Sequence, residues 1–150
     1  MKKPVATSSG QFDEVIRIIQ ISHDRALKAV NAEMIRMYWN VGEYLSKLCA
    51  NANFGDKIID DVAAYIAQNN PGAKGFNRRG LYRMKQFYEL YKDDEFVSPL
   101  VTQVSWTNHL LIMSGSKSVD ERHFYLSLCA KEHYSKRELE RQMDSGYSER

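Results

Sequence analysis

At 150 residues the chain has the length of one ordinary domain, enough to bury a core without disulfides or metals. Its 43% hydrophobic and 27% charged residues exclude global disorder, and a net charge of only +2 excludes a partner chosen by overall charge. Two cysteines, Cys49 and Cys129, are too few and too far apart for a disulfide framework. The first ten residues lack the apolar run of a secretory leader, and no window approaches the ~20 apolar residues of a membrane span. These features predict a cytoplasmic protein with reduced thiols and no membrane association.

Residues 1–10 are polar and Pro/Ser/Gly-containing, which reads as a flexible tail before a single helical domain over 11–150. From Phe12 to Leu48 there is no proline and one glycine, Gly42. Leu27, Val30, Met34, Met37, Val41, Tyr44 and Leu48 recur there at steps of three and four, the seam of an amphipathic helix close to a heptad. The seam reads either as the buried stripe of a long core helix or as a pairing face between two copies. Ser22 and Asp24 offer a point at which the helix would divide, and Tyr38 and Trp39 are candidate core plugs. Asn51 to Asp56 supplies turn residues, with Asp56 placed to cap a second helix over 58–68. Asn69-Asn70-Pro71-Gly72 stops that helix.

Asn77 is placed to cap a third helix running to about Tyr91. Beyond Pro99, Ser105 caps a helix through Met113. Ser118-x-x-Glu121 and Ser135-x-x-Glu138 have the spacing of capping boxes and open helices over about 119–131 and 136–145. Leu100 to Val104 has the composition of a short strand. The sum is an all-α domain of about six helices, with one long N-terminal helix and a helix-turn-helix-like core.

The third helix carries the functional signal. Lys74, Arg78, Arg79, Arg83, Lys85 and Lys92 stand against one acid, Glu89, in an otherwise nearly neutral chain. At 100° per residue, Leu81, Met84, Tyr88 and Tyr91 share one side, while Arg78, Arg79, Tyr82, Lys85 and Gln86 share the other with Arg83 at its edge. Arginine and lysine neutralise phosphates, Arg and Gln also form bidentate bonds to base edges, and a tyrosine stacks on sugar or donates to phosphate. The helix N-terminus at Asn77 adds free amides for a phosphate. The candidate nucleic-acid contacts are therefore Asn77, Arg78, Arg79, Tyr82, Arg83 and Gln86, with Lys74 and Lys85 on the backbone. The helix over 58–68 serves as the scaffold half of a helix-turn-helix, although the link from Asn69 to Phe76 is longer than the tight turn of the simplest such motif. A solvated basic face is the competing reading, weakened by the scarcity of interleaved acids.

Other constellations carry less. His123, Cys129 and His133 include a pair four apart, but no fourth ligand completes a structural zinc site. Trp106 and His109 read as a packing pair. Asp60 and Asp61 lie on adjacent helix faces and do not converge as paired carboxylates. Gly72, Gly75 and Gly80 match no phosphate loop. Neither a metal nor a cofactor is implied, and no nucleophile, base and oxyanion donors assemble into an enzyme.

In order, Tyr38-Trp39-Asn40-Val41-Gly42, Phe54-Gly55-Asp56-Lys57-Ile58-Ile59, Asn70 to Leu81, Met84, Phe87-Tyr88 and Tyr91 form one set of motif pieces. Val104-Ser105-Trp106-Thr107-Asn108-His109, Glu121-Arg122-His123-Phe124-Tyr125 and Tyr134-Ser135 continue it. Together they resemble the N-terminal domain of the YhcG-like family, bacterial proteins whose C-terminal half is a PD-(D/E)XK nuclease domain, over nearly everything from Phe12 onward. Asn77 stands where the family usually has a capping Ser, and Phe54 where it often has Tyr. The resemblance implies a helix-turn-helix-like DNA-binding module that addresses a nuclease joined in cis. The chain ends about where that nuclease would begin, and it contains no Pro-Asp pair and no Glu-x-Lys or Asp-x-Lys triplet, so the nuclease site is not expected here.

The sequence thus predicts a non-catalytic DNA-binding module acting through the helix over 77–91. RNA stays open beside DNA, since phosphate contacts do not distinguish them. The alternative is an interaction module, a homodimer included, using the near-heptad helix over 12–48.

Overall fold

The computed structural model describes residues 5–51 and 57–146, with side chains from residue 10 onward. Six α-helices lie within them: α1 Val5–Ala50, α2 Ile58–Asn69, α3 Arg78–Tyr91, α4 Trp106–Gly115, α5 Val119–Glu132 and α6 Lys136–Asp144. The domain is all-α with a long N-terminal helix, as the periodicity predicts. No strand occurs among the described residues. Leu100–Val104, whose composition suggests one, instead contains a 3-10 turn, Val101–Gln103. Its backbone carbonyls are claimed by side chains rather than by a partner strand: Asn31 Nδ2 donates to Thr102 O (3.0 Å) and Val104 O (3.2 Å). His109 Nε2 donates to Val101 O at 2.8 Å.

The capping residues read from the sequence start four helices. Asn77, Ser105, Ser118 and Ser135 each accept from the amide three residues on. Ser135 and Glu138 form the full reciprocal box. Glu121 instead reaches one residue further back, accepting from the amide of Lys117 at 3.1 Å. Asp56 lies outside the described residues, and Lys57, at the start of α2, makes no side-chain cap.

α1 runs 46 residues, about 69 Å at 1.5 Å per residue, without a break at Ser22 or Asp24. It begins at Val5, within the segment that composition assigns to a tail; residues 1–4 lie outside the described residues. Only its C-terminal half packs on the body of the domain. There α1 buries Ile35, Tyr38 and Leu45, and crosses α3 at Gly42. A Cβ at Gly42 would fall on the carbonyl oxygen of Met84, with the carbonyl carbon at 2.7 Å and Tyr88 Cβ at 3.1 Å, so only glycine permits this approach.

The buried-stripe reading of the near-heptad seam is overturned by this arrangement. Leu27, Val30, Met34, Met37 and Tyr44 are 37–66% exposed. The face that packs is the neighbouring one, carrying Asn31, Ile35, Tyr38, Gly42 and Leu45. Composition conceals it because an asparagine that pins the 3-10 turn and a glycine that admits α3 occupy two of its positions.

An aromatic hub joins α1, α3 and α4. Phe87 is fully buried, edge-on to Trp39 (5.5 Å), Tyr91 (5.7 Å) and Trp106 (5.1 Å), and Tyr38 stacks on Trp106 at 4.4 Å. Tyr38 and Trp39 thus serve the core as expected. α4 lies against α5 and α6, where Leu126 and Leu139 are fully buried.

Candidate nucleic-acid interface

The position of α3 is set from beneath. Its buried face is Leu81, Met84, Phe87 and Tyr91, with Tyr88 half-buried against Trp39. Phe87, at the centre of this face, is not among the four residues that helical spacing assigns to it. The chief support of α3 is α1; α2 contributes a lesser contact. The sequence reading of α2 as scaffold half does not anticipate this larger support from α1, because a pairing between residues some forty apart leaves no local sequence mark.

The first turn of α3 is organised by the preceding loop. Asn77 has extended backbone and its Oδ1 accepts from Gly80 N at 2.8 Å. Gly75 takes a positive φ of 84°, folding the loop under the helix. A Cβ at Gly80 would strike the Gly75 carbonyl, with its carbon at 2.9 Å. The capping bond occupies Asn77 Oδ1, so this residue presents its Nδ2 and the free amides of the helix start.

Beside Asn77, the other seven predicted contacts divide into three groups. Lys74, Arg79, Tyr82 and Gln86 are exposed, and Arg83 is half-buried on the same side. Among the described residues no carboxylate pairs with Lys74, Arg79 or Arg83. Arg78 is held twice, by Asp60 of α2 (Nε–Oδ1 2.5 Å) and over the Tyr82 ring at 5.1 Å. Lys85 is half-buried and pairs with Glu89 at 3.2 Å. Asp60 is the compensating acid that counting charges along α3 alone passes over.

Glu89, the one acid on α3, is committed elsewhere. Burial opposes its charge, but hydrogen bonds from Ser46 (2.6 Å) and Lys85 and the nearby Lys92 outweigh burial and hold its carboxyl below the ordinary range. Ser46 belongs to α1, so this carboxylate clamps the two helices and draws Lys85 inward. The surface left to a ligand is narrower than the sequence suggests: Arg79, Tyr82, Arg83 and Gln86 along about 100° of the helix, flanked by Lys74.

The other candidate groups are structural. His109 is fully buried, and desolvation, against the hydrogen bond to Val101, lowers its pKa to about 4, so it stands neutral. His123 Nε2 meets Asp94 Oδ2 at 2.7 Å, and its ring stacks on Phe96 at 4.3 Å. Desolvation raises the Asp94 carboxyl, but the His123 bond and the amides of Val97 and Phe96 overcome it and leave the group lowered. Burial pushes the Cys129 thiol up to about 12. His133 adopts a left-handed conformation (φ 54°) that ends α5. Among the described residues no three His, Cys, Asp or Glu side chains are close enough together to hold a metal ion. A cleft of about 770 Å³ lies away from α3, between α1, residues 102–105 and the end of α5. It gathers Asn31, Asn108, Cys129 and His133 without a nucleophile–base pair.

A family model for the DUF1016 N-terminal domain matches residues 14–150. This chain belongs to the DUF1016 N-terminal domain family. That is the N-terminal family of the YhcG-like proteins, so the resemblance carried by the aromatic and glycine motifs holds. Among those motif residues, Tyr38, Trp39, Gly42, Phe87, Tyr91, Trp106 and His109 are hub and crossing positions. No curated protein and no solved structure matches the chain. No helix among the described residues is long and apolar enough to cross a membrane.

Proposed function

We propose that this DUF1016 N-terminal domain binds nucleic acid, DNA foremost, through the exposed side of α3, and performs no catalysis itself. The observation that carries the reading is the trio Lys74, Arg79 and Arg83. These cations have no described carboxylate partner; Arg79 and Arg83 stand beside exposed Tyr82 and Gln86 on a helix fixed to α1 by a backbone-level crossing, and Lys74 flanks them in the preceding loop. Unpaired cations on a rigid support are suited to phosphate: they give up counterions rather than internal ion pairs. Arg79, Arg83 and Gln86 have the donors to reach base edges. Arg78 joins readily, since an exposed ion pair such as Arg78–Asp60 contributes at most about 1 kcal/mol. Asn77 and Lys85 take supporting roles, one at the helix start and one near the backbone. Where a nuclease domain is joined in cis, this module would address it to its substrate.

The test is fluorescence anisotropy of a labelled mixed-sequence duplex, at two salt concentrations, for the wild type and for Arg79→Glu/Arg83→Glu. With about four phosphates neutralised, affinity should fall roughly a hundredfold between 50 and 200 mM salt. The double variant should lose binding while keeping its helical circular dichroism and melting profile. Equal affinity in a folded double variant refutes the reading. A preference for duplex RNA in competition would reassign the ligand.

A further inference from the structure

The N-terminal half of α1 projects beyond the body of the domain: of residues 10–30 only Ile21 is even half-buried. An isolated helical stretch of this length is marginal in water, because helices in proteins are stabilised mainly by packing an apolar face. Yet the stretch is not a polar solvated helix. Phe12 (63% exposed), Ile19 (60%), Val30 (57%) and Met37 (37%) fall within about 20° of one another around the helix, with Val15, Met34 and Tyr44 alongside. The resulting stripe runs about 48 Å, from Phe12 to Tyr44, roughly a third of a turn from the face that packs on the body.

We propose that this stripe pairs antiparallel with the same stripe of a second copy of the chain, forming a symmetric dimer. The proposal is independent of the nucleic-acid reading. Two arguments select a second copy. The first is area: the seven large hydrophobics of the stripe, 37–66% exposed, exceed what a monomer ordinarily presents, and their combined exposure is of the order of the roughly 800 Å² per partner that a stable interface buries. The second is complementarity. With the two-fold axis near Lys28, whose own side chain lies on the far side, Phe12 faces Tyr44, Ile19 faces Met37 and Ala26 faces Val30. The polar interruptions coincide as well, because His23 then faces Glu33. A parallel pairing would set Glu33 against Glu33 and align two long helix dipoles. The antiparallel arrangement opposes them, and it is isologous, as a closed two-fold dimer requires.

Sedimentation velocity of the full chain across a concentration series, without nucleic acid, tests this. The wild type should sediment as two chains. Ile19→Lys, at an exposed position away from the body, should weaken association at least tenfold while melting of the domain body is kept. Ile19→Lys/Met37→Glu should restore the dimer, since the antiparallel register brings each lysine to a glutamate of the other copy. A wild type that stays monomeric into the hundred-micromolar range overturns the proposal, as does a mass other than two chains. A dimer unaffected by Ile19→Lys and Val30→Lys places association on another surface and overturns it too. Failure of the double variant to recover overturns the antiparallel register.

Discussion

Replacing Gly42 with alanine should destabilise the domain, against the ordinary direction of that change in a helix. Mid-helix, Gly→Ala contributes about 1 kcal/mol of helix propensity. Here the added methyl would fall on the carbonyl oxygen of Met84, with the carbonyl carbon at 2.7 Å. Comfortable contact needs about 3.5 Å or more, so α1 and α3 must part by roughly 1 Å along their crossing. The obstacle is backbone, which cannot rotate aside as a side chain would. Parting the helices also loosens Phe87 in its aromatic hub and stretches the Ser46–Glu89 bond. Overpacking of this kind costs about 3 kcal/mol at the upper end of its usual range, leaving a net loss of about 2 kcal/mol after the propensity gain. In a chain of this size that lowers Tm by roughly 4–8 °C. Gly10→Ala is the control: no atom stands within 4 Å of its Cβ position, so it should be neutral or stabilising. Thermal and urea unfolding followed by circular dichroism measure both. If Gly42→Ala is as stable as the wild type, the crossing is not the close contact argued above, and the support of α3 must be sought elsewhere.

Two further outcomes follow from buried groups. His109 is neutral in the fold with its pKa lowered to about 4, against an ordinary value of 6.5. The unfolded chain therefore binds more protons between those values, and the contribution of His109 is fully present above about pH 6.5 and lost as pH falls toward 4. Urea midpoints should decline across that window more steeply in the wild type than in His109→Gln, whose amide can still donate to Val101; parallel declines would refute the assignment. Cys129 is 2% exposed with its thiol pushed up to about 12, so an aromatic disulfide reagent at neutral pH should modify it only on unfolding, whereas half-buried Cys49 should react sooner. Rapid labelling of Cys129 in the native chain would show that α5 opens locally.

What the sequence made legible was local. Asn77, Ser105, Ser118 and Ser135 announce their helices because a capping hydroxyl or amide acts within three residues, and each start is observed where that chemistry requires it. The six-helix architecture follows from those starts and from the absence of proline across α1. The cations of α3 are equally plain, being adjacent in the chain. Their pairing is not: Asp60, which holds Arg78, sits on another helix, and Ser46, which commits Glu89, on a third. Spacing along one helix cannot reveal an acid supplied across a tertiary contact. The candidate surface accordingly narrows from eight residues to a strip around Arg79 and Arg83.

The most instructive departure is α1, where periodicity finds a real apolar stripe and cannot say what covers it. Apolar residues repeating along one side of a helix mark a face that avoids water, and a domain core and a partner surface satisfy that pattern equally well. The face chosen by the body is the less apolar one, because close approach of α3 demands the small Gly42 and the 3-10 turn demands the amide of Asn31. Packing two helices at backbone distance and binding two carbonyls outweigh additional aliphatic area on that side. The richer stripe is thereby released from the core, and its run from Phe12 to Tyr44, interrupted at His23 and Glu33, extends well beyond the body. That face, exposed over so great a length, is the one that the proposed antiparallel dimer would remove from water.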